Sequence, residues 1–367
     1  MSPPQMSKWP NSKIVDLFEI EHPILLAPMA GPSTPELAIA VSEAGGLGSF
    51  GSAMSTAEQV RAVLGVIRQR TRKPLNLNFF THLPPQLDAA REARWKQRLA
   101  PYYAELGLDS NKPTPHSDRA PFSAETCAIV EEFKPEVVSF HFGLPQPQLL
   151  QRVKRAGAKV IASATTAREA IWLQQHGCDA IIAQGYEAGG HRGMFLTDNL
   201  AAQAGTLALV PQVVDSVSVP VIAAGGIADG RGIAAAFALG ASAVQIGTAY
   251  LFCPEANVPP LNRQALATAR DDDTALTNLF TGRPARSIIN RLMRELGPVC
   301  EDAPAFPLAG GALLPLKAAA EARGLSDFTS LWSGQAAALA RALPAADLTQ
   351  QLARDALSRL QSLSTGA

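Results

Sequence analysis

Charge is scarce in this chain of 367 residues: Asp, Glu, Lys and Arg make up 17%, and 32 basic side chains stand against 32 acidic ones. A formal net charge of zero leaves no surplus of cations to release the counterions of a nucleic acid or to hold a protein on anionic lipid. Cysteine is sparse as well, with only Cys127, Cys178, Cys253 and Cys300. No two have the C-x-x-C spacing of a zinc ribbon or a redox dithiol. A disulfide framework is not expected at this size, so four reduced, buried thiols are. The polar segment Met1–Lys13 lacks the apolar stretch of a secretory signal. No clean membrane span is present either. The longest nearly apolar run, Gly232–Phe252, is interrupted by Gly240, Ser242, Gln245, Gly247 and Thr248, which suits a helix, a turn and a strand. His22, His82, His116 and His176 show no metal-ligand spacing, and no G-x-S-x-G elbow occurs. The expectation is a cytoplasmic protein whose partner is a small molecule, not a nucleic acid, a membrane or a metal.

Hydrophobic residues, at 47%, are plentiful. The length fits a barrel of about 250 residues with a smaller appended domain. Short apolar runs recur at Ile24–Ala27, Leu47–Phe50, Leu75–Phe79, Val137–Phe140, Val160–Ala164, Ala180–Ala183, Val221–Ala224 and Ala243–Ile246. Amphipathic stretches separate most of them, including Pro35–Ala44, Thr56–Arg70, Pro147–Ala156, Ala167–His176, Ala201–Ser216 and Gly230–Leu239. The runs are apolar throughout rather than alternating, as parallel strands buried on both faces require. Eight such strands with intervening helices predict an α/β fold, a closed TIM (β/α)8 barrel over residues 14–255. A doubly wound open sheet is the competing architecture. Residues 81–122, with Trp95, Tyr102 and Tyr103, are long for a βα-connection and read as an inserted, lid-like segment. Residues 256–367 read as a C-terminal helical domain covering the barrel, with helices over Val258–Phe280, Pro315–Arg323 and Phe328–Ala342.

One glycine cluster misleads. Gly46-Leu47-Gly48-Ser49-Phe50-Gly51 matches G-x-G-x-x-G, but the dinucleotide fingerprint needs a strand before it and a helix opening within it. Here a helix precedes the motif and a strand falls inside it, so no Rossmann nicotinamide site follows. The stronger signal lies at the carboxyl ends of the last two strands, in Ala224-Gly225-Gly226-Ile227 and Gln245-Ile246-Gly247-Thr248. Glycines there let the backbone approach a phosphate, and a helix start near Asp229 supplies N–H donors. Barrels often bind phosphate in these loops. After the sixth strand comes Gln184-Gly-Tyr-Glu-Ala-Gly-Gly-His191-Arg-Gly193, a flexible glycine loop that presents an imidazole, with Gln184 able to face a ring edge. Histidine titrates near neutrality and suits proton abstraction. His141 either lines the same mouth or packs between Phe140 and Phe142. Asn78 ends the third strand, and Ala27-Pro28-Met29 ends the first, where carbonyls and a thioether can pack an aromatic ring. Arg283, Arg286, Arg291 and Arg294 form a solvated or inter-domain face, or else a phosphate clamp. Lys317, between apolar residues of a tail suited to a lid, is a candidate cation for a carboxylated substrate, with a surface lysine as the plain alternative.

Together these motifs resemble the nitronate monooxygenases, formerly 2-nitropropane dioxygenases. Ala27–Met29, Asn78, His141–Gly143, Gln184–Gly193, Ala224–Ile227 and Gln245–Thr248 follow the family's order across the barrel. Phe280-Thr-Gly-Arg-Pro-Ala-Arg286 and Trp332-Ser-Gly-Gln335 look like its class I branch. The resemblance implies a flavoprotein with non-covalent FMN that oxidises alkyl nitronates, typically propionate 3-nitronate, by O2 to a carbonyl product and nitrite. It places FMN against Gln184, Gly189, Gly226, Gln245, Ile246, Gly247 and Thr248, with Asn78, Gly225 and Ala27–Met29 alongside, and makes His191 the catalytic residue. His141 and Lys317 are then substrate candidates, and Tyr102, Tyr103, Tyr186 and Tyr250 the candidate pocket aromatics. FMN-dependent enoyl-acyl-carrier-protein reductases and NADH:quinone reductases share these loops and form the alternative. A non-flavin phosphate-binding lyase or isomerase is a second, and a non-catalytic binding barrel a third.

Overall fold

Alternation along each strand explains the core. In Lys159–Ala164, Val160, Ala162 and Ala164 turn outward to the helices, while Ile161 turns inward. Val221 and Ala223 face out and Ile222 and Ala224 face in. Both faces are covered by apolar groups, so the strands carry no polar alternation in sequence. The computed structural model describes residues 9–110, 112–115 and 119–365. Residues 1–8 of the polar N-terminal segment, His116, and the last two residues of the predicted C-terminal domain lie outside the described residues.

Eleven strands occur along the described chain: β1 (Ile24–Leu26), β2 (Gly48–Gly51), β3 (Leu75–Phe80), β4 (Val137–His141), β5 (Lys159–Ala164), β6 (Ala180–Gln184), β7 (Gly190–His191), β8 (Val221–Ala224), β9 (Ala243–Ile246), β10 (Thr274–Thr277) and β11 (Ala285–Ile288). The parallel order β1-β9-β8-β6-β5-β4-β3-β2 is closed by a bridge between Leu25 and Leu47. This is the (β/α)8 barrel expected, not an open sheet. Ile14 and Phe18 of the short helix Lys13–Phe18 join the inward layer of Leu25, Leu47, Val137, Ile161 and Ile222.

Helix starts follow capping chemistry. Thr56 accepts from the Gln59 N–H and the Gln59 side chain returns the bond, so the helix is Ala57–Arg70. Ser123 and Thr126 do the same for Ala124–Phe133. The misleading glycine motif lies at a helix-to-strand junction, where a Cβ at Gly48 would collide with the Ala38 carbonyl.

The tail departs from expectation. The stretch predicted as one helix over Val258–Phe280 is the helix Pro260–Thr268, a turn at Asp271–Asp273, and then β10. Three consecutive carboxylates favour a turn over a helix end, because they repel its carbonyl dipole. β10 pairs antiparallel with β11, and β11 with β7, so the tail contributes a three-stranded sheet as well as helices. Phe328–Ala342 is mostly irregular, with one short 3-10 turn, and Trp332 bridges to Ser287 of β11. In the segment 81–122, helix Ala89–Glu105 packs Trp95, Leu99 and Tyr102 with Leu279, Leu292, Met293 and Phe328 of the tail in one apolar cluster. Burial on that scale stabilises by roughly 2 kcal/mol per large side chain. The indole of Trp95 donates to Ala309 O at 3.1 Å. The last helix, Ala345–Thr365, returns to the barrel, placing Leu348, Leu352 and Ala356 in its outer core.

Candidate active site

The carboxyl ends of the barrel strands surround a cavity of about 230 Å3. Its wall includes Ala27, Pro28 and Met29 after β1, Asn78 in β3, His141 in β4, Gln184 in β6, Gly189 and His191, Gly225 and Gly226 after β8, and Gln245, Gly247 and Thr248 at β9. Of the nominated catalytic, cofactor and substrate residues, all but Ile246 and Lys317 converge there, whereas none of the four candidate tyrosines does. Ile246 turns its side chain into the outer core, as its place in the strand alternation requires. Lys317 lies outside the lining, on helix Leu314–Glu321, with its ammonium 3.9 Å from Glu321. That i,i+4 pair sits on a half-exposed helix face, so Lys317 is the plain surface lysine of the two readings. Among the described residues, the Lys or Arg that does line the cavity is Arg119, in the segment 81–122.

The phosphate cradle has a particular form. Gly225 and Gly226 adopt φ of +113° and +68°, a left-handed run open to glycine. Among the described residues, the N–H groups of Gly226, Gly247 and Thr248 donate to no protein acceptor. The first turn of helix Gly230–Ala238 is different. Asp229 already caps Arg231 and Gly232 N–H at 2.9 and 3.2 Å, so the loop backbone, not the helix start, supplies the free donors. The Thr248 hydroxyl accepts from Gly334 N at 2.9 Å, which leaves its own proton to donate. Gln245 Oε1 is buried with no partner. An orphaned acceptor and three free N–H groups on one wall are what a ligand with an anion at one end and an N–H at the other would satisfy. The residues present therefore fit the FMN that the resemblance implies.

His191 is not presented by a flexible loop. It lies in β7, paired with Ala285 of β11, and its carbonyl accepts from Gln184 Nε2 at 3.0 Å and His141 Nε2 at 3.1 Å. Gln184 Oε1 also accepts from Gly193 N at 2.7 Å. The amide expected to face a flavin edge thus spends its acceptor and one donor on holding this segment. His141 is fixed likewise. A carbonyl only accepts, so Nε2 carries the proton and Nδ1 accepts from the Ser163 hydroxyl at 3.0 Å. Both ring nitrogens of His141 are committed to protein partners, which makes it a support for the His191 backbone. Beside it, Glu169, fully buried, gathers the N–H groups of Thr165, Phe195 and Leu196 and so ties down the chain beyond Gly193.

The His191 ring sits among Phe80, Phe142, Phe306 and Trp332, at centroid distances of 5.9, 6.0, 5.4 and 5.4 Å. Burial, and then the charges of Arg119, His141, Arg283 and His82, hold its pKa well below the usual value. Its Nε2 meets Thr281 Oγ1 at 2.9 Å, while no protein partner for Nδ1 occurs among the described residues. The result is a neutral imidazole with one nitrogen held and the other free at a cavity.

The arginines of the tail divide. Arg283 and Arg286 are not a solvated face. Arg286 is 2% exposed and bonds Tyr186 O and Thr274, and Arg283 lies 4.0 Å from the Phe142 ring centroid and donates to Met194 O. Burial brings Arg283 down to about 10. Arg291 joins the tail to the segment 81–122 through Glu105 at 2.7 Å. None of the four tyrosines lines the cavity; Tyr250 bonds Thr349, Tyr103 bonds Ala312 O, Tyr102 packs on Phe328 and Tyr186 lies under Arg286. The lining aromatics are Phe80 and Trp332.

The family model for nitronate monooxygenase matches residues 11–355. The chain belongs to the nitronate monooxygenase family. It is 45% identical to a nitronate monooxygenase of Pseudomonas aeruginosa over 94% of this chain and 99% of that one. A second from Paraburkholderia phytofirmans is 44% identical over 95% and 96%. Among solved structures, a nitroalkane oxidase from Streptomyces ansochromogenes superposes with a TM-score of 0.86 at 38% identity, covering 96% and 100% of the two chains. FabK from Thermotoga maritima is more distant, with a TM-score of 0.72 at 31% identity over 96% and 98%. This nitronate monooxygenase family member is accordingly an oxidoreductase enzyme. All four cysteines are free and buried, and among the described residues there is neither a metal-binding cluster nor a helix long and apolar enough to cross a membrane.

Proposed function

We propose that the enzyme carries FMN and uses O2 to oxidise alkyl nitronates, propionate 3-nitronate being the type, to a carbonyl product and nitrite. One observation carries the reading beyond family membership: the free-donor cradle and a neutral His191, whose Nδ1 has no partner among the described residues, line the same cavity. FMN, when bound, supplies the electron-accepting and O2-reducing chemistry. The chain's own residues hold and orient. Gly226, Gly247 and Thr248 would bond the phosphate, Gln245 would accept from an N–H of the ring system, and Ala27–Met29, Asn78 and Gly189 would wall it. His191 would take the carbon-bound proton when the substrate is a neutral nitroalkane. Arg119 gives the cavity a cation for an anionic substrate, and the four aromatic rings around His191 exclude water from the reacting face.

The test is a visible spectrum and an oxygen-consumption assay of purified protein. A band near ~450 nm, as for oxidised flavin, with O2 uptake on propionate 3-nitronate, is expected. NADH-plus-quinone turnover without O2 uptake would put the reductase reading in its place, and a colourless active enzyme would favour the lyase or isomerase.

Two substitutions probe the cavity separately. Gly247 has φ −111°, which other residues adopt, and a side chain there would point toward Ala27 and Met29 across the cradle. Gly247→Val should lower flavin affinity on the order of tenfold, about 1.4 kcal/mol, although its Cβ at 3.3 Å from Ala27 Cβ also asks that neighbour to shift, so flavin content is compared at matched folded protein. Full flavin content in that variant would overturn the cradle. Arg119→Met should raise KM for propionate 3-nitronate more than for an uncharged alkyl nitronate. Equal effects on the two would remove Arg119 from carboxylate recognition.

A further inference from the structure

Thr281 lies in the tail, between β10 and β11, 3% exposed. Its hydroxyl oxygen is 2.9 Å from His191 Nε2 and 3.3 Å from the carbonyl of Arg283. A hydroxyl has one proton to give and lone pairs to accept with. The Arg283 carbonyl can only accept, and with the Thr281 proton directed to it a lone pair faces Nε2, which then carries hydrogen. We propose that Thr281 is a positioning residue that fixes His191 in the Nε2–H tautomer and thereby makes Nδ1, the nitrogen without a protein partner, the basic atom of the site.

The inference rests on the reading of His191 as the base for neutral nitroalkanes, and it specifies the atom. In that step the carbon-bound proton moves to Nδ1 and the C–H electron pair becomes the C=N bond of the nitronate, with negative charge on the nitro oxygens. The resulting imidazolium keeps its Nε2–H on Thr281 and later loses the Nδ1 proton to solvent. The Thr281 hydroxyl therefore supports both protonation states without rotating the ring. Orientation is held from two sides: the barrel fixes the His191 carbonyl through Gln184 and His141, and the tail fixes the ring through Thr281. Neither part alone completes the site, which gives the tail a chemical role besides covering the cavity. The aromatic box reinforces this, because Trp332 and Phe306 from the tail flank the same ring.

The direct test is the nitrogen NMR spectrum of the holoenzyme labelled with 15N-histidine, with His191 assigned by its loss in His191→Asn. A protonated Nε2 and an unprotonated Nδ1 are expected for His191. The opposite tautomer would overturn the proposal, whatever His191 does in turnover. Thr281→Val keeps the volume and removes the hydroxyl. It should mix the tautomers and lower kcat/KM for a nitroalkane on the order of tenfold, as a misplaced catalytic group does, with nitronate turnover close to wild type. Thr281→Ser should restore both the spectrum and the rate. A Val variant with wild-type tautomer and wild-type nitroalkane turnover would also sink the idea. If His191→Asn slowed nitroalkane and nitronate alike, the base reading would fail, while the tautomer measured in the spectrum would still decide what Thr281 does.

Discussion

His191→Asn should depress nitroalkane kcat/KM by ~10²–10⁴-fold, the usual worth of a positioned general base, and nitronate kcat/KM by far less. A neutral nitroalkane must shed a carbon-bound proton before its carbon can be oxidised, whereas a nitronate has already shed it. The difference between the two substrates isolates proton abstraction from every role that both reactions share. Were His191 only a hydrogen-bond donor to the nitro oxygens, both rates would fall together. The pH profile carries the same logic. Because burial and nearby cations hold the imidazole well below its ordinary value, the base is unprotonated at pH 6.5 and above. Nitroalkane kcat/KM should therefore pass through pH 6.5 without an inflection, where an unperturbed histidine would lose half its basic form. Both substrates would be assayed at fixed pH, with flavin content matched between wild type and variant. A uniform loss would keep His191 in the site and remove its role as base.

The barrel is legible in the sequence because its strands are buried on both faces, so eight apolar runs of four or five residues separated by amphipathic stretches read as parallel strands, and the pairing of β1 with β9 and the Leu25–Leu47 bridge decide for closure over an open sheet. Loop glycines at Gly225, Gly226 and Gly247 are legible for a similar reason: their position after the last strands carries the chemistry whatever surrounds them. Three features are not. His191 looks mobile because its neighbours are glycines, yet Gly190 and His191 pair with β11 about 95 residues onward, and no local pattern announces a two-residue strand. Arg283 and Arg286 look solvated because arginine usually is, and their burial depends on carbonyls of Met194 and Tyr186 that only the fold brings near. Lys317 stands out as a substrate cation ahead of Arg119, because a lysine among apolar helix residues is conspicuous and one of four arginines in a long segment is not. Thr281 has no signal of its own beyond its place in Phe280-Thr-Gly-Arg283.

Acid should destabilise this protein well before its carboxylates protonate. Burial brings both His82 and His141 down to about 4, and lowers His22 and His191 as well. In the unfolded chain each takes up a proton near pH ~6.5. Above that pH both states are neutral there and the stability is fully present. As pH falls from 6.5 toward 4, the unfolded state binds protons that the folded state refuses, so stability drops with a slope of about 1.4 kcal/mol per pH unit for each such histidine. For His141, whose two ring nitrogens suit only the neutral form, the loss is on the order of 3 kcal/mol across the window. The ion-paired carboxyls Glu105, Glu131 and Asp302 are held low by their arginine partners and add their share only at still lower pH. The interval between 6.5 and 4.5 therefore belongs to the histidines. Denaturant midpoints measured from pH 8 to 4.5 at constant flavin occupancy should fall steeply over that interval. His82→Phe should flatten the fall, since the ring is already caged by Phe306, Phe142 and Phe80 at 4.8, 6.3 and 6.4 Å and its Nδ1 has no partner, although the ring's hydrogen bond to the Arg119 backbone is lost at every pH. A midpoint that stayed level from pH 7 to 5 would mean that these imidazoles accept protons in the folded state, and the neutral His191 on which proton abstraction depends would lose its support with them.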